Sequence, residues 1–166
     1  MTARSGLVLK IFLLALASMA VQQPVLAAGG VIPVAANLAE SAKMAQQQGL
    51  PTIVYVSRDA CPYCRTLTDS ILGPMYAAGK FRDRAVLIEL SLDNVGSLTG
   101  FDGQPITAEE FAQQYKAQIT PTLLFLDAGG REISKRRIGI SNLELYSQYL
   151  QRSIDAALTV TRSSAE

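Results

Sequence analysis

Apolar residues recur along the chain in two periods. Residues 37–48, "NLAESAKMAQQQ", carry Leu38, Ala42 and Ala45 at helical spacing, and Gly49 follows as a stop. Residues 51–59, "PTIVYVSRD", instead hold a β-branched run with no helical period, which predicts a strand buried on both faces. Helical spacing returns over 62–72. There Gly73 and Pro74 predict a stop, the glycine as a left-handed cap and the proline forbidding continuation. A short helical piece over 75–82 and a second apolar strand over 85–93, "AVLIELSLD", come next. Strand, helix, strand in that order predicts a right-handed crossover with its two strands parallel.

The stretch 94–106, "NVGSLTGFDGQPI", is rich in glycine and turn formers and reads as a loop. Thr107 and Glu110 make a capping-box pattern that opens a helix to about residue 117. Within 120–140, "TPTLLFLDAGGREISKRRIGI", two strands flank "DAGG", a hairpin signal that makes them antiparallel. Ser141 and Glu144 form another capping-box pattern before the last helix. Its Leu143, Tyr146, Leu150, Ile154 and Leu158 share one face. Residues 159–166, "TVTRSSAE", read as a disordered tail. The order of elements predicts an α/β fold: a central mixed β-sheet flanked by helices on both faces.

The length of 166 residues suits one domain with a core large enough to need no stapling. A formal net charge of +1 offers no electrostatic grip on nucleic acid. The chain has no histidine and only two cysteines, which excludes a Ser-His-Asp or Cys-His catalytic pair, a mixed cysteine and histidine zinc site, and a four-cysteine metal site within one chain. At the amino end, Arg4 and Lys10 precede the short apolar run "IFLLALASMAV", and "VLAA" supplies small residues for processing. Residues 1–27 therefore read as a signal peptide, cleaved after Ala27 or Ala28. An uncleaved anchor over 7–28 is the alternative, weakened by Lys10 and by "QQP" at 22–24. In a bacterium either reading places the domain in the periplasm, where disulfides persist. Residues 28–36 read as a flexible linker, and 37–158 as the folded domain.

Both cysteines lie in "SRDACPYCRTL", two residues apart, as a metal clamp, a staple or a redox pair. Three landmarks in order bear on the choice: "CPYC" after a buried strand, "ITPTLLFLDAGG" before a hairpin, and "KRRIGI" leading into the last helix. With them the chain resembles the thioredoxin-like superfamily over nearly all of its mature region, from about Asn37 to Leu158, and among its members the secreted bacterial thioredoxin-like proteins of sulfur-oxidation or Dsb systems. The resemblance implies a thioredoxin-like fold and a periplasmic thiol:disulfide oxidoreductase without prosthetic group or metal. Its partners would be client proteins carrying disulfides or thiols, and a membrane electron carrier that resets the dithiol in a reducing cycle. It also implies a cis bond at Thr120–Pro121, with Thr120 and Pro121 docking an extended substrate segment.

The residues themselves agree with this chemistry. If Cys61 caps the helix and Pro62 takes its first position, the proline loses nothing, because its missing N–H would have been an orphan donor. The free N–H groups and the positive helix end then favour a Cys61 thiolate, the nucleophile. Cys64, one turn further in, becomes the resolving thiol, close enough to join Cys61 in an active-site disulfide. Arg58, Arg65 and Asp59 read as a solvated rim with little hold on that thiolate. One position departs from the family: where thioredoxins carry a buried acid six residues before the nucleophile, this chain has Tyr55. Glu89 in the next strand could stand in for it, although a carboxylate at a strand end or sheet edge is the plainer account. A second class of function stays open, a non-enzymatic module holding a soft metal ion or a partner protein through Cys61 and Cys64.

Overall fold

The computed structural model describes residues 31–164, so the signal-peptide reading of 1–27 lies outside the described residues. In chain order the elements are α1 (Leu38–Gln47), β1 (Thr52–Ser57), α2 (Pro62–Leu67), a π-helical turn (Thr68–Leu72), α3 (Gly73–Ala77), β2 (Val86–Ser91), β3 (Ser97–Thr99), β4 (Pro105–Thr107), α4 (Ala108–Gln114), β5 (Thr122–Leu126), β6 (Glu132–Ile138) and α5 (Leu143–Ser163). Four strands form the main sheet in the order β2-β1-β5-β6. β1 runs parallel to β2, as the crossover predicts, and β5 and β6 are antiparallel neighbours beyond it. This is the mixed sheet expected.

Strand alternation divides the core into two layers. Ile53, Tyr55, Leu123 and Phe125 face α2 and α5, packing with Leu67, Tyr146, Leu150 and Ile154. Val54, Val56, Leu124 and Leu126 face α1 and α4, packing with Leu38, Phe111 and Ala112. All six residues of β1 are buried, which is why its sequence shows neither alternation nor helical period. Among the described residues no helix is long and apolar enough to cross a membrane.

Five local expectations are corrected. Gly73 and Pro74 do not end the helix. Pro74 lacks an N–H and its ring would strike a carbonyl one turn back; the backbone widens into a π turn there, with the Gly73 N–H donating to the Thr68 carbonyl five residues earlier. Gly73 has φ −61, so its lack of a side chain serves close approach: a Cβ would sit 2.8 Å from the Thr68 oxygen. The left-handed stop comes later, at Gly79 with φ +67, where the Lys80 N–H reaches the Met75 carbonyl at 2.9 Å.

The loop over 94–106 contains the hairpin β3–β4, whose three-residue strands are too short to show a period. The last helix is capped by Asn142 rather than Ser141, with Asn142 Oδ1 accepting the Leu145 N–H at 3.0 Å. It also runs on to Ser163, through much of the expected tail. Within that extension the Thr159 and Thr161 hydroxyls donate back to carbonyls four residues earlier, so these polar side chains are satisfied by the helix itself. Finally, part of the expected linker lies along the outer edge of β2. Ala35 N–H donates to the Glu89 carbonyl at 2.7 Å, Glu89 N–H donates to the Pro33 carbonyl at 2.8 Å, and Ile32 and Ala35 are buried. The Thr107 and Glu110 capping box forms as expected, and α4 ends at Gln114.

Gly73→Ala is expected to destabilise the fold by about 1–3 kcal/mol, because the new methyl must displace the Thr68 carbonyl. Urea unfolding should show a lower midpoint at unchanged slope.

Candidate active site

β1 passes the chain to α2 through a three-residue turn, 58–60, and the dithiol begins there. Cys61 takes an extended conformation, φ −115 and ψ 100, as the N-cap of α2, and Pro62 occupies the first helical position. The Cys64 N–H donates to Cys61 Sγ at 3.1 Å. Hence the sulfur does what a serine or aspartate oxygen does at other helix starts: it accepts an amide that the helix leaves free. The same donor and the positive helix end favour negative charge on that sulfur when the pair is reduced. Cys61 and Cys64 are joined in a disulfide, with Cα atoms 5.2 Å apart. Both sulfur-bearing residues are buried in this oxidised state, Cys61 7% and Cys64 3% exposed. Tyr63 between them projects outward, 63% exposed.

The Thr120–Pro121 peptide bond is cis. These residues precede β5, and Thr122 pairs with Val56 near the end of β1, so Thr120 and Pro121 lie at the same end of neighbouring strands as the turn into Cys61. The loop is braced on both sides: Gly139 N–H donates to the Pro121 carbonyl at 2.8 Å, and Thr122 Oγ1 donates to the Ile119 carbonyl at 2.6 Å. Pro121 is buried, Thr120 is half-buried and Ile119 stands 66% exposed.

Behind the dithiol, Tyr55 is fully buried and its hydroxyl donates to the Cys64 carbonyl at 3.1 Å, with Thr68 Oγ1 3.2 Å away. Burial pushes the Tyr55 hydroxyl up to about 12, against a lowering by the Thr68 bond and with smaller raising contributions from Glu89 and Asp69. Tyr146, in the same core layer, is also pushed up to about 12 by burial, against a lowering by the Arg137 charge, and its hydroxyl has no hydrogen-bond partner among the described residues. Glu89 lies neither at a strand end nor on an open edge, because residues 33–35 bond its backbone on the outer side of β2. It is half-buried on β2, in register with Tyr55, and accepts the Ser57 hydroxyl at 2.6 Å.

The charged rim holds backbone. Arg58 reaches Asp93 at 3.4 Å and Glu109 at 3.3 Å, while Asp93 Oδ2 accepts the Asp59 N–H at 2.6 Å. Arg65 Nη1 donates to the Asp59 carbonyl at 3.1 Å. The turn that presents Cys61 is thus fastened to the end of β2 and the start of α4. Sequence reasoning did not single out Asp93 or Thr68. The only signal for Asp93 was an acidic turn former directly after an apolar strand, and Thr68 gave none.

By sequence, the thioredoxin-like domain family matches residues 38–154. The chain belongs to the thioredoxin-like domain family. Among solved structures it is similar to the DsbH oxidoreductase, with a TM-score of 0.57 and 18% identity over 80% of this chain and 90% of that one. It is also similar to a thioredoxin from Thermus thermophilus, with a TM-score of 0.53 and 25% identity over 74% of this chain and 87% of that one. A search of curated proteins finds no match. The thioredoxin-like domain carries its cysteine pair in the arrangement of a thiol:disulfide oxidoreductase.

The two buried tyrosines give the domain an alkaline limit. Each is pushed from the ordinary 10.0 to about 12 in the folded state. Above pH 10 the unfolded chain therefore releases protons that the folded chain keeps, and stability falls as pH rises from 10 towards 12. The slope is at most about 1.4 kcal/mol per pH unit for each tyrosine. Urea midpoints should fall through that window and fall less steeply in Tyr146→Phe.

Proposed function

We propose that this thioredoxin-like domain reduces disulfides of client proteins in the periplasm, and that a membrane electron carrier restores its dithiol. The observation that carries the exchange chemistry is the Cys61 sulfur at a helix start, accepting the Cys64 N–H and within bonding distance of the Cys64 sulfur. In the reduced protein the Cys61 thiolate attacks one sulfur of a client disulfide. That bond breaks, a client thiolate leaves and takes a proton from water, and a mixed disulfide forms. Cys64 then loses its proton and attacks Cys61 Sγ, the second client thiolate leaves, and the Cys61–Cys64 disulfide closes. Two electrons pass to the client, and the same steps run backward oxidise one.

Cys61 is the nucleophile in this scheme, Cys64 the resolving thiol, and Thr120 and Pro121 the docking strand for an extended client segment. The extracytoplasmic compartment is supported by the leader pattern in residues 1–27. The reducing direction is supported by the resemblance to secreted thioredoxin-like proteins.

Cys64→Ser is expected to accumulate client proteins bound through Cys61, visible as thiol-sensitive adducts on non-reducing gels and absent from the Cys61→Ser, Cys64→Ser double variant. The wild-type protein is expected to reduce insulin, with a potential closer to the roughly −270 mV of thioredoxin than to the roughly −120 mV of DsbA. A DsbA-like potential without insulin reduction would reverse the direction. Amino-terminal sequencing of protein released by osmotic shock is expected to begin at Ala28 or Gly29, whereas an intact leader would place the domain on an anchor.

A further inference from the structure

We infer that Tyr55 is a positioning residue for the second step of disulfide exchange, holding Cys64 from beneath through the Cys64 carbonyl so that its sulfur can close on Cys61. The inference rests on the dithiol chemistry proposed above. Tyr55 stands on the central strand β1, fully buried, with its Oη 3.1 Å from the Cys64 oxygen. That carbonyl already accepts the helical N–H of Thr68, so the tyrosine is not needed to satisfy it. The second bond instead ties the helix to the sheet at residue 64. Since the single Tyr55 proton goes to a carbonyl, which cannot donate, the Thr68 hydroxyl 3.2 Å away donates to Tyr55 and orients it.

The place of this tie matters. Thr68 begins the π turn, where the helical hydrogen bonds change register, so the backbone beyond Cys64 is the least regular part of the helix. Tyr55 touches residues 64 and 68, one on each side of α2's last turn. At the other end of residue 64, its N–H donates to Cys61 Sγ. The Cys64 backbone is therefore held at both its amide and its carbonyl, one bond reaching the partner sulfur and the other reaching the rigid strand. Closing the disulfide is an intramolecular attack, whose rate depends steeply on how well the two sulfurs are pre-placed. The opening attack on a client depends on Cys61 Sγ and its access to solvent, neither of which Tyr55 touches.

A single-turnover reaction separates the two steps. Mixed with an aromatic disulfide that releases the coloured thionitrobenzoate anion, the reduced protein gives one anion when the Cys61 thiolate attacks. It gives a second when Cys64, its proton lost to water, displaces the remaining thionitrobenzoate from Cys61. Tyr55→Phe keeps the ring and deletes the bond; the second phase is expected to slow about three- to tenfold while the first stays within about twofold of wild type. Thr68→Val, at a half-buried position, removes the orienting hydroxyl and is expected to slow the second phase about twofold; it carries the test should Tyr55→Phe fail to fold. Second phases unchanged in the folded variants, or both phases slowed alike, would overturn the positioning role. A wild-type protein that releases no anion through Cys61 would overturn the dithiol reading itself, and this inference with it.

Discussion

A single amide, the Cys64 N–H donating to Cys61 Sγ at 3.1 Å, ties the fold to the chemistry. A helix start always leaves amides without partners, and most proteins fill the position with an oxygen. Here the oxygen's place is taken by a sulfur whose ionised form accepts the same bond more strongly, so capping the helix and activating the nucleophile are one interaction. Other features of the site protect that geometry. Pro62 enters the helix without adding another unpaired amide, β1 supplies a fully buried platform, and the rim residues fasten the turn between them.

The platform and the two core layers were legible because their residues obey one period each. β1 and β5 are buried on both faces and read as unbroken apolar runs, and α1 and α5 show stripes that the sheet buries. Errors arose where two short-range signals competed. Gly73–Pro74 is a strong stop pattern taken alone, yet the core contacts of Leu67 and Leu72 on one side and Phe81 on the other keep the chain helical across it, and a π turn absorbs the conflict. Ser141 and Asn142 are both good caps. The one whose oxygen reaches the Leu145 amide was decided by the path of the chain out of β6, which the local pattern does not contain. Strands β3 and β4 have three residues each, too few for any periodicity to declare itself.

The site was legible in its reacting atoms and illegible in its supports. Cys61 and Cys64 at helical separation after a buried strand were legible as a pair, and the resemblance to the thioredoxin-like superfamily implied that the pair is a dithiol with the Thr120–Pro121 bend beside it. Two of the supports come from residues more than 30 positions away, joined only by folding. Asp93 accepts the Asp59 amide because β2 lies parallel to β1 and ends level with it, and Glu109 reaches Arg58 because α4 begins near the same end of the sheet. Tyr55 shows the other side of the same limit. Its position relative to Cys61 was readable, but a tyrosine in an apolar strand looks like packing until the hydroxyl is seen to meet the Cys64 carbonyl.

The rim charges bear on how the sulfur is tuned. Arg58 and Arg65 stand close to Cys61 in sequence and would favour its thiolate if they faced it. Arg58 instead lies against Asp93 and Glu109, and Arg65 donates to the Asp59 carbonyl. A cation already paired with two carboxylates presents little net field to a third group, and what remains is screened at the surface. Tuning then falls to groups that salt and rim substitutions cannot reach, the Cys64 amide and the helix end behind it, while the neutral Tyr55 lies beneath Cys64 and touches only its carbonyl side. Because burial keeps that tyrosine protonated up to about pH 12, it acts as a fixed donor and not as a base. The proton that Cys64 must shed before closing the disulfide accordingly leaves by a route other than the residue directly under it.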